Sequence, residues 1–146
     1  MVWDTKTGKI LHNAITWPDT RTKGLVRELK EREDANALQH LYGLPLSTYP
    51  SAVKLLRLLK NVDEVSKAYV EGRLSFGTID TWLMYYLNGG KEKNVHLTDA
   101  TNASRTMSMN LHTLECDERQ ATELLRLEYK KCPVAKDSSF VRQESL

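Results

Sequence analysis

Residues 51–61 read as one helix, whose spacing gathers Val53, Leu55, Leu56, Leu58 and Leu59, with Val62 just beyond, onto a wide apolar face. A helix this apolar draws its stability from being enclosed by other elements, so the rest of the chain must build a core around it. Lys54, Arg57 and Lys60 recur every three residues opposite that face. That stripe reads as a solvated basic surface, with contact to phosphates or lipid headgroups as the alternative.

On either side the pattern switches between strand and helix. Residues 1–4 read as the end of a strand. Residues 5–9 read as a polar turn in which Gly8 is free to take a positive φ. Residues 10–16 read as a second, antiparallel strand. A start on half a hairpin suggests a truncated domain. From Thr20 a helix is predicted, with Leu25, Val26 and Leu29 on one face. Asp34 is expected to cap a short helix that Gly43 closes. Pro45 and Pro50 make the stretch between them a loop. Asp63 is expected to cap a helix that runs through Tyr69 and ends at Gly72. Residues 74–76 read as a buried strand and residues 77–81 as a strand-to-helix junction. Trp82, Leu83, Tyr85, Tyr86 and Leu87 continue as an aromatic helix that Asn88-Gly89-Gly90 stops. A last amphipathic helix starts at Asp117 and includes Leu124, Leu125 and Leu127. The charged, Ser-rich sequence beyond Arg126 predicts poor order. The alternation implies an α/β or α+β fold, with a domain over residues 1–125 and a divergent tail over 126–146.

The 146 residues suffice for one domain with its own core. With 40% hydrophobic and 27% charged residues, the composition is that of a soluble globular chain. A formal charge of +2 is too small to argue for nucleic acid or an anionic membrane as partner. No apolar run approaches the roughly 20 residues that span a bilayer, and the N-terminus lacks signal-peptide features. Cys116 and Cys132 can form neither a disulfide framework nor a four-cysteine zinc site, and they read as reduced thiols. The chain is therefore expected to be cytoplasmic.

Sequence motifs for chemistry are few. Thr7-Gly8-Lys9 lacks the remainder of a phosphate-binding loop, since Ile10 stands where Ser or Thr is needed. His12, His40, His96 and His112 show no metal-ligand spacing, and no nucleophile motif occurs. One cluster is more informative. Trp17 is followed by Pro18, Asp19, Thr20 and Arg21, which sets an indole, a carboxylate and a guanidinium just beyond a strand. Such a set suits a polyol, because an aromatic face covers its C–H side while charged groups bond its hydroxyls. By spacing alone Trp17 reads as a core plug and Asp19 as a helix cap. Tyr49, between prolines on a loop, can supply a second aromatic. Residues 98–107, Thr-Asp-Ala-Thr-Asn-Ala-Ser-Arg-Thr-Met, read as a polar loop entering a helix.

Five blocks occur in order: Trp3-Asp4 through Gly8-Lys9, Asn13-Ala14-Ile15-Thr16-Trp17, Gly43-Leu44-Pro45-Leu46-Ser47-Thr48-Tyr49, Phe76-Gly77-Thr78-Ile79-Asp80-Thr81-Trp82-Leu83, and residues 98–107. Together they resemble the glycerol kinases of the FGGY carbohydrate kinase family, with a eukaryotic, fungal-type flavour. The resemblance implies an actin-like, ribonuclease-H-like ATPase fold, here as a partial N-terminal domain truncated at both ends. It implies transfer of the γ-phosphoryl group of ATP to a terminal hydroxyl of glycerol, with Mg2+.

Carried over by position, Trp17 matches the tryptophan that packs on the carbon backbone of glycerol. Tyr49 matches the tyrosine that hydrogen-bonds a glycerol hydroxyl. Asp19 and Arg21 are expected to shape the pocket wall, and Asp99, Asn102, Ser104 and Arg105 to brace the cleft side by hydrogen bonds. Ser51 and Lys54 fall in a family signature that expects tryptophan where Arg57 stands. A guanidinium cannot fill an indole's volume without finding partners, so packing there is expected to differ. The family's phosphate-binding hairpin, its Arg-Glu pair at glycerol and its Gly-Asp-Gln segment with the catalytic base have no counterpart in these residues. No catalytic residue is therefore predicted here. The ATP and magnesium groups are expected largely outside this segment, and the chain alone is expected to be inactive. A non-catalytic remnant or interaction fragment is the alternative. The family is often homo-oligomeric, and some relatives associate with mitochondria.

Overall fold

The computed structural model describes residues 1–32 and 35–114 and the backbone of 134–136. The elements in order are β1 (Val2–Asp4), β2 (Ile10–His12), α1 (Lys23–Lys30), α2 (Ala35–Tyr42), α3 (Ser51–Asn61) and α4 (Asp63–Val70). They continue with β3 (Leu74–Phe76), α5 (Ile79–Leu87), β4 (Leu97–Asp99), α6 (Ala100–Ala103) and β5 (Val134–Lys136).

β1 is the middle strand of a sheet ordered β2-β1-β3, antiparallel to both neighbours, with Trp3 opposite Ser75 and Val2 opposite Phe76. All of its residues are buried. Because side chains alternate between faces, both faces of the strand must be covered. On one face Val2 packs with Leu55, Leu58, Val65, Leu74 and Phe76. On the other, Trp3 meets the rings of Trp82, Tyr85 and His96 at 5.3, 5.3 and 5.5 Å. α3 and α4 therefore flank the sheet on one side and α5 on the other. β4 and β5 form a separate parallel pair.

α3 matches its predicted bounds and is the hub of the core. Val53 and Leu56 join α1, α2 and Met107 in one apolar cluster. Leu55 and Leu58, a step around the helix, join the sheet and α4 in another. The basic stripe is corrected: Lys54 is buried at 6% exposure, Arg57 is half-buried and only Lys60 of this trio is exposed.

Other expectations shift at element ends. The second strand stops at His12 rather than running to residue 16, because the following backbone serves another contact described below. Asp63 is the first residue of α4 and not its cap, a position that Val62 takes without a side-chain bond. An acidic residue there still favours the helix through its dipole. Residues 98–107 begin as the end of β4 before entering α6, not as a loop. Asp34, the helix predicted from Asp117, Cys116 and Cys132 lie outside the described residues.

The strand-to-helix junction explains one glycine. A Cβ at Gly77 would fall 2.5 Å from that of the fully buried Thr81, so the turn admits no side chain. β1 ends on a part-buried ion pair: Arg73, 19% exposed, contacts Asp4, whose side chain is 6% exposed. The other carboxylate oxygen of Asp4 accepts from the amides of Lys6 and Thr7 at 2.8 and 3.1 Å. Removing one partner of such a pair strands a buried charge. Arg73→Met is therefore expected to cost about 3 kcal/mol. Hydrogen exchange of the β1 amides checks this, since their protection should fall accordingly.

Candidate functional site

Two loops converge at the N-terminal end of α3. The first, residues 13–22, leaves β2 and carries Trp17. Pro18 disfavours helical backbone at Trp17, and the two are the central residues of a turn in which the Asp19 amide donates to the Thr16 carbonyl at 3.2 Å. The second, residues 43–50, carries Tyr49, and Pro50 has the same effect there. Pro50 itself is the N-cap of α3, with φ −61° and ψ 145°.

Trp17 is 71% exposed and Tyr49 39% exposed. Their ring centroids are 6.5 Å apart at 61°, an edge-to-face arrangement. Trp17 is thus no core plug. Asp19 is no helix cap either: α1 begins after Thr22, which makes no capping bond. Asp19 instead pairs with Arg21, whose Nε lies 2.9 Å from both carboxylate oxygens and whose backbone N–H donates to Oδ1 at 2.9 Å. These hydrogen bonds hold the Asp19 carboxyl below its ordinary 3.8.

The residue that joins the two loops is Lys54. Helix side chains lean toward the N-terminus, so Lys54 reaches back over the first turn of α3. Its Nζ donates to the carbonyls of Thr16 at 2.8 Å, Trp17 at 3.3 Å and Tyr49 at 3.3 Å. Burial lowers its pKa from the usual 10.5, and the charge of Asp19 works against that. Beyond the end of β2, the Thr16 carbonyl meets this ammonium. Lysine spacing along α3 pointed to solvent, and only the tertiary fold over it reveals the contact.

Residues 98–107 form a second polar group. Asp99 caps α6, accepting from the Asn102 amide at 3.0 Å and from Asn102 Nδ2 at 2.5 Å. Ser104 Oγ donates to the Thr101 carbonyl at 2.7 Å, and Arg105 is exposed. Two residues not singled out by sequence connect the stretch outward. Thr98 Oγ1 donates to Asp80 of α5 at 2.7 Å, and the Thr106 carbonyl accepts from the Ala52 amide of α3 at 2.9 Å. The stretch and the aromatic pair thus meet through the start of α3. His96 Nε2 lies 2.9 Å from the Phe76 carbonyl and packs on Trp3, which makes it a packing residue. Among the described residues no group of three His, Cys, Asp or Glu gathers to hold a metal ion.

The model of the FGGY family of carbohydrate kinases, N-terminal domain, matches residues 1–142. A glycerol kinase from Arabidopsis thaliana is 50% identical over 121 residues, covering 81% of this chain and 23% of that protein. Glycerol kinase 2 of Streptomyces coelicolor is 46% identical over 124 residues, covering 85% and 24%. The structure of Plasmodium falciparum glycerol kinase with ADP is similar at a TM-score of 0.79 and 38% identity, over 87% of this chain and 24% of that one. A ligand-bound xylulose kinase from Lactobacillus acidophilus follows at 0.66 and 26%, over 93% and 25%. The chain thus spans about a quarter of the length of these relatives.

The Asp99 cap makes a pH-dependent prediction. Burial pushes its carboxyl up, but the hydrogen bonds from Asn102 and Thr101 outweigh this and hold it below 3.8. Its contribution is therefore complete above 3.8 and lost as the pH falls through the lower folded value. Asp99→Ala is expected to lose about 1 kcal/mol near neutrality. Urea unfolding across a pH series should show that gap shrinking in acid.

Proposed function

Because the chain belongs to the FGGY family of carbohydrate kinases, we propose that it is the part of a glycerol kinase's first domain that presents the glycerol site. The reaction is transfer of the ATP γ-phosphoryl group to a terminal hydroxyl of glycerol, giving glycerol 3-phosphate. The exposed Trp17–Tyr49 pair carries this reading. The indole offers a flat apolar face for a short carbon chain, and the Tyr49 hydroxyl offers a hydrogen bond at its edge. The neighbouring Asp19–Arg21 pair supplies a polar wall. Asp99, Asn102, Ser104 and Arg105 lie in the stretch that supports the start of α3 from the cleft side.

The 46–50% identity to glycerol kinases supports glycerol over a longer sugar, for which the xylulose kinase at 26% speaks less strongly. In-line phosphoryl transfer needs a base, a phosphate cradle and magnesium on the far side of the substrate. Those groups, and most of the ATP site, belong to the remainder of the kinase in this proposal. It also takes residues 1–125 as the domain portion and 126–146 as a divergent tail, in a cytoplasmic enzyme that assembles from copies of itself. Among the described residues no helix is long and apolar enough to cross a membrane.

In the complete kinase, Trp17→Ala is expected to raise the KM for glycerol about tenfold while the KM for ATP stays unchanged. Steady-state kinetics with each substrate varied checks this, and an unchanged glycerol KM would contradict the site. A polypeptide of these 146 residues alone is expected to form no glycerol 3-phosphate from magnesium-ATP. Product accumulation in a coupled assay would overturn that expectation.

A further inference from the structure

We propose that Lys54 is a positioning residue for glycerol, setting Trp17 and Tyr49 by clamping the backbone of both loops, an inference that rests on the glycerol reading above. Lys54 is 6% exposed, and its ammonium carries three N–H donors. They go to the carbonyls of Thr16, Trp17 and Tyr49. Asp19, whose charge reaches Lys54, is occupied by Arg21 on both oxygens. Lys54 is therefore neither a partner in an ion pair nor free to bind a phosphate or a hydroxyl.

The choice of carbonyls matters. Thr16 and Trp17 carbonyls belong to the two peptide planes on either side of the Trp17 Cα. Holding both planes fixes the direction in which the indole leaves the backbone. The Trp17 and Tyr49 carbonyls belong to peptide bonds whose nitrogens are those of Pro18 and Pro50, which carry no N–H. At those peptides the carbonyl is the one hydrogen-bonding group available, and Lys54 takes each.

The clamp is itself anchored. α3 is packed into both apolar clusters, and its start is held by the Ala52–Thr106 backbone bond of 2.9 Å. An exposed indole would otherwise sample several orientations. Referenced to the core through Lys54, it keeps one, and less ordering is left for glycerol to supply on binding.

The test uses the complete kinase with Lys54→Met, which keeps the aliphatic reach and removes the donors, alone and combined with Trp17→Ala. A 5-fluorotryptophan label, assigned through Trp17→Ala, reports the indole directly. Lys54→Met is expected to raise the glycerol KM about tenfold and leave the ATP KM within about twofold. The Trp17 fluorine resonance should move, and in the Trp17→Ala background the added cost should shrink to about twofold or less.

A full KM effect persisting without the indole would overturn the proposal, as would an unmoved resonance with an unchanged glycerol KM. Should Lys54→Met fail to fold, Lys54→Arg, which keeps the charge but splays the donors, passes through the same cycle under the same criteria. If Trp17→Ala alone leaves the glycerol KM untouched, the glycerol reading fails on its own. The fluorine resonance then judges the clamp separately: displaced by Lys54→Met it stands, unmoved it falls.

Discussion

A helix with so wide an apolar face is stable only where other elements enclose that face, and α3 imposes that condition on the whole segment. α1, α2 and Met107 close over Val53 and Leu56, while α4 and the sheet close over Leu55 and Leu58. The one charged residue among its buried positions is Lys54. A buried ammonium must be surrounded by oxygen, and three carbonyls from two loops provide it. The exposed aromatic pair is thus a consequence of how the core is satisfied. The same enclosure that stabilises α3 brings Trp17 and Tyr49 to one surface.

Elements whose patterns were long or bounded by glycine and proline were legible in the sequence. α3 has its predicted ends, β3 is the buried strand expected, and Gly43 and Gly72 close α2 and α4 with φ of 64° and 66°. Contacts that depend on which loop folds over which helix were not legible. Lys54 shares its spacing with Arg57 and Lys60, so periodicity alone assigns it to solvent. The early end of β2 was not legible either, since the Thr16 carbonyl beyond it bonds Lys54 from a distant helix.

The candidate site was legible in part for a different reason. Spacing placed Trp17 beside Asp19 and Arg21 but favoured a core plug over a surface indole. The fold decides for the surface, with Trp17 at 71% exposure and Asp19 paired to Arg21. In the 98–107 stretch, the Asp99 cap follows from short polar residues that compete for backbone bonds. The links through Thr98 to Asp80 and through Thr106 to Ala52 join residues far apart in sequence and needed the structure.

The segment spans about a quarter of the length of its relatives and presents an exposed aromatic pair beside an ion pair. In the proposed glycerol kinase, Trp17 and Tyr49 face the glycerol. The most direct measurement is a crystal structure of the complete kinase with glycerol bound. The carbon chain of glycerol is predicted to lie against the Trp17 indole, with one hydroxyl about 2.7–2.8 Å from Tyr49 Oη. Glycerol seated elsewhere, with Trp17 still turned to solvent, would contradict it.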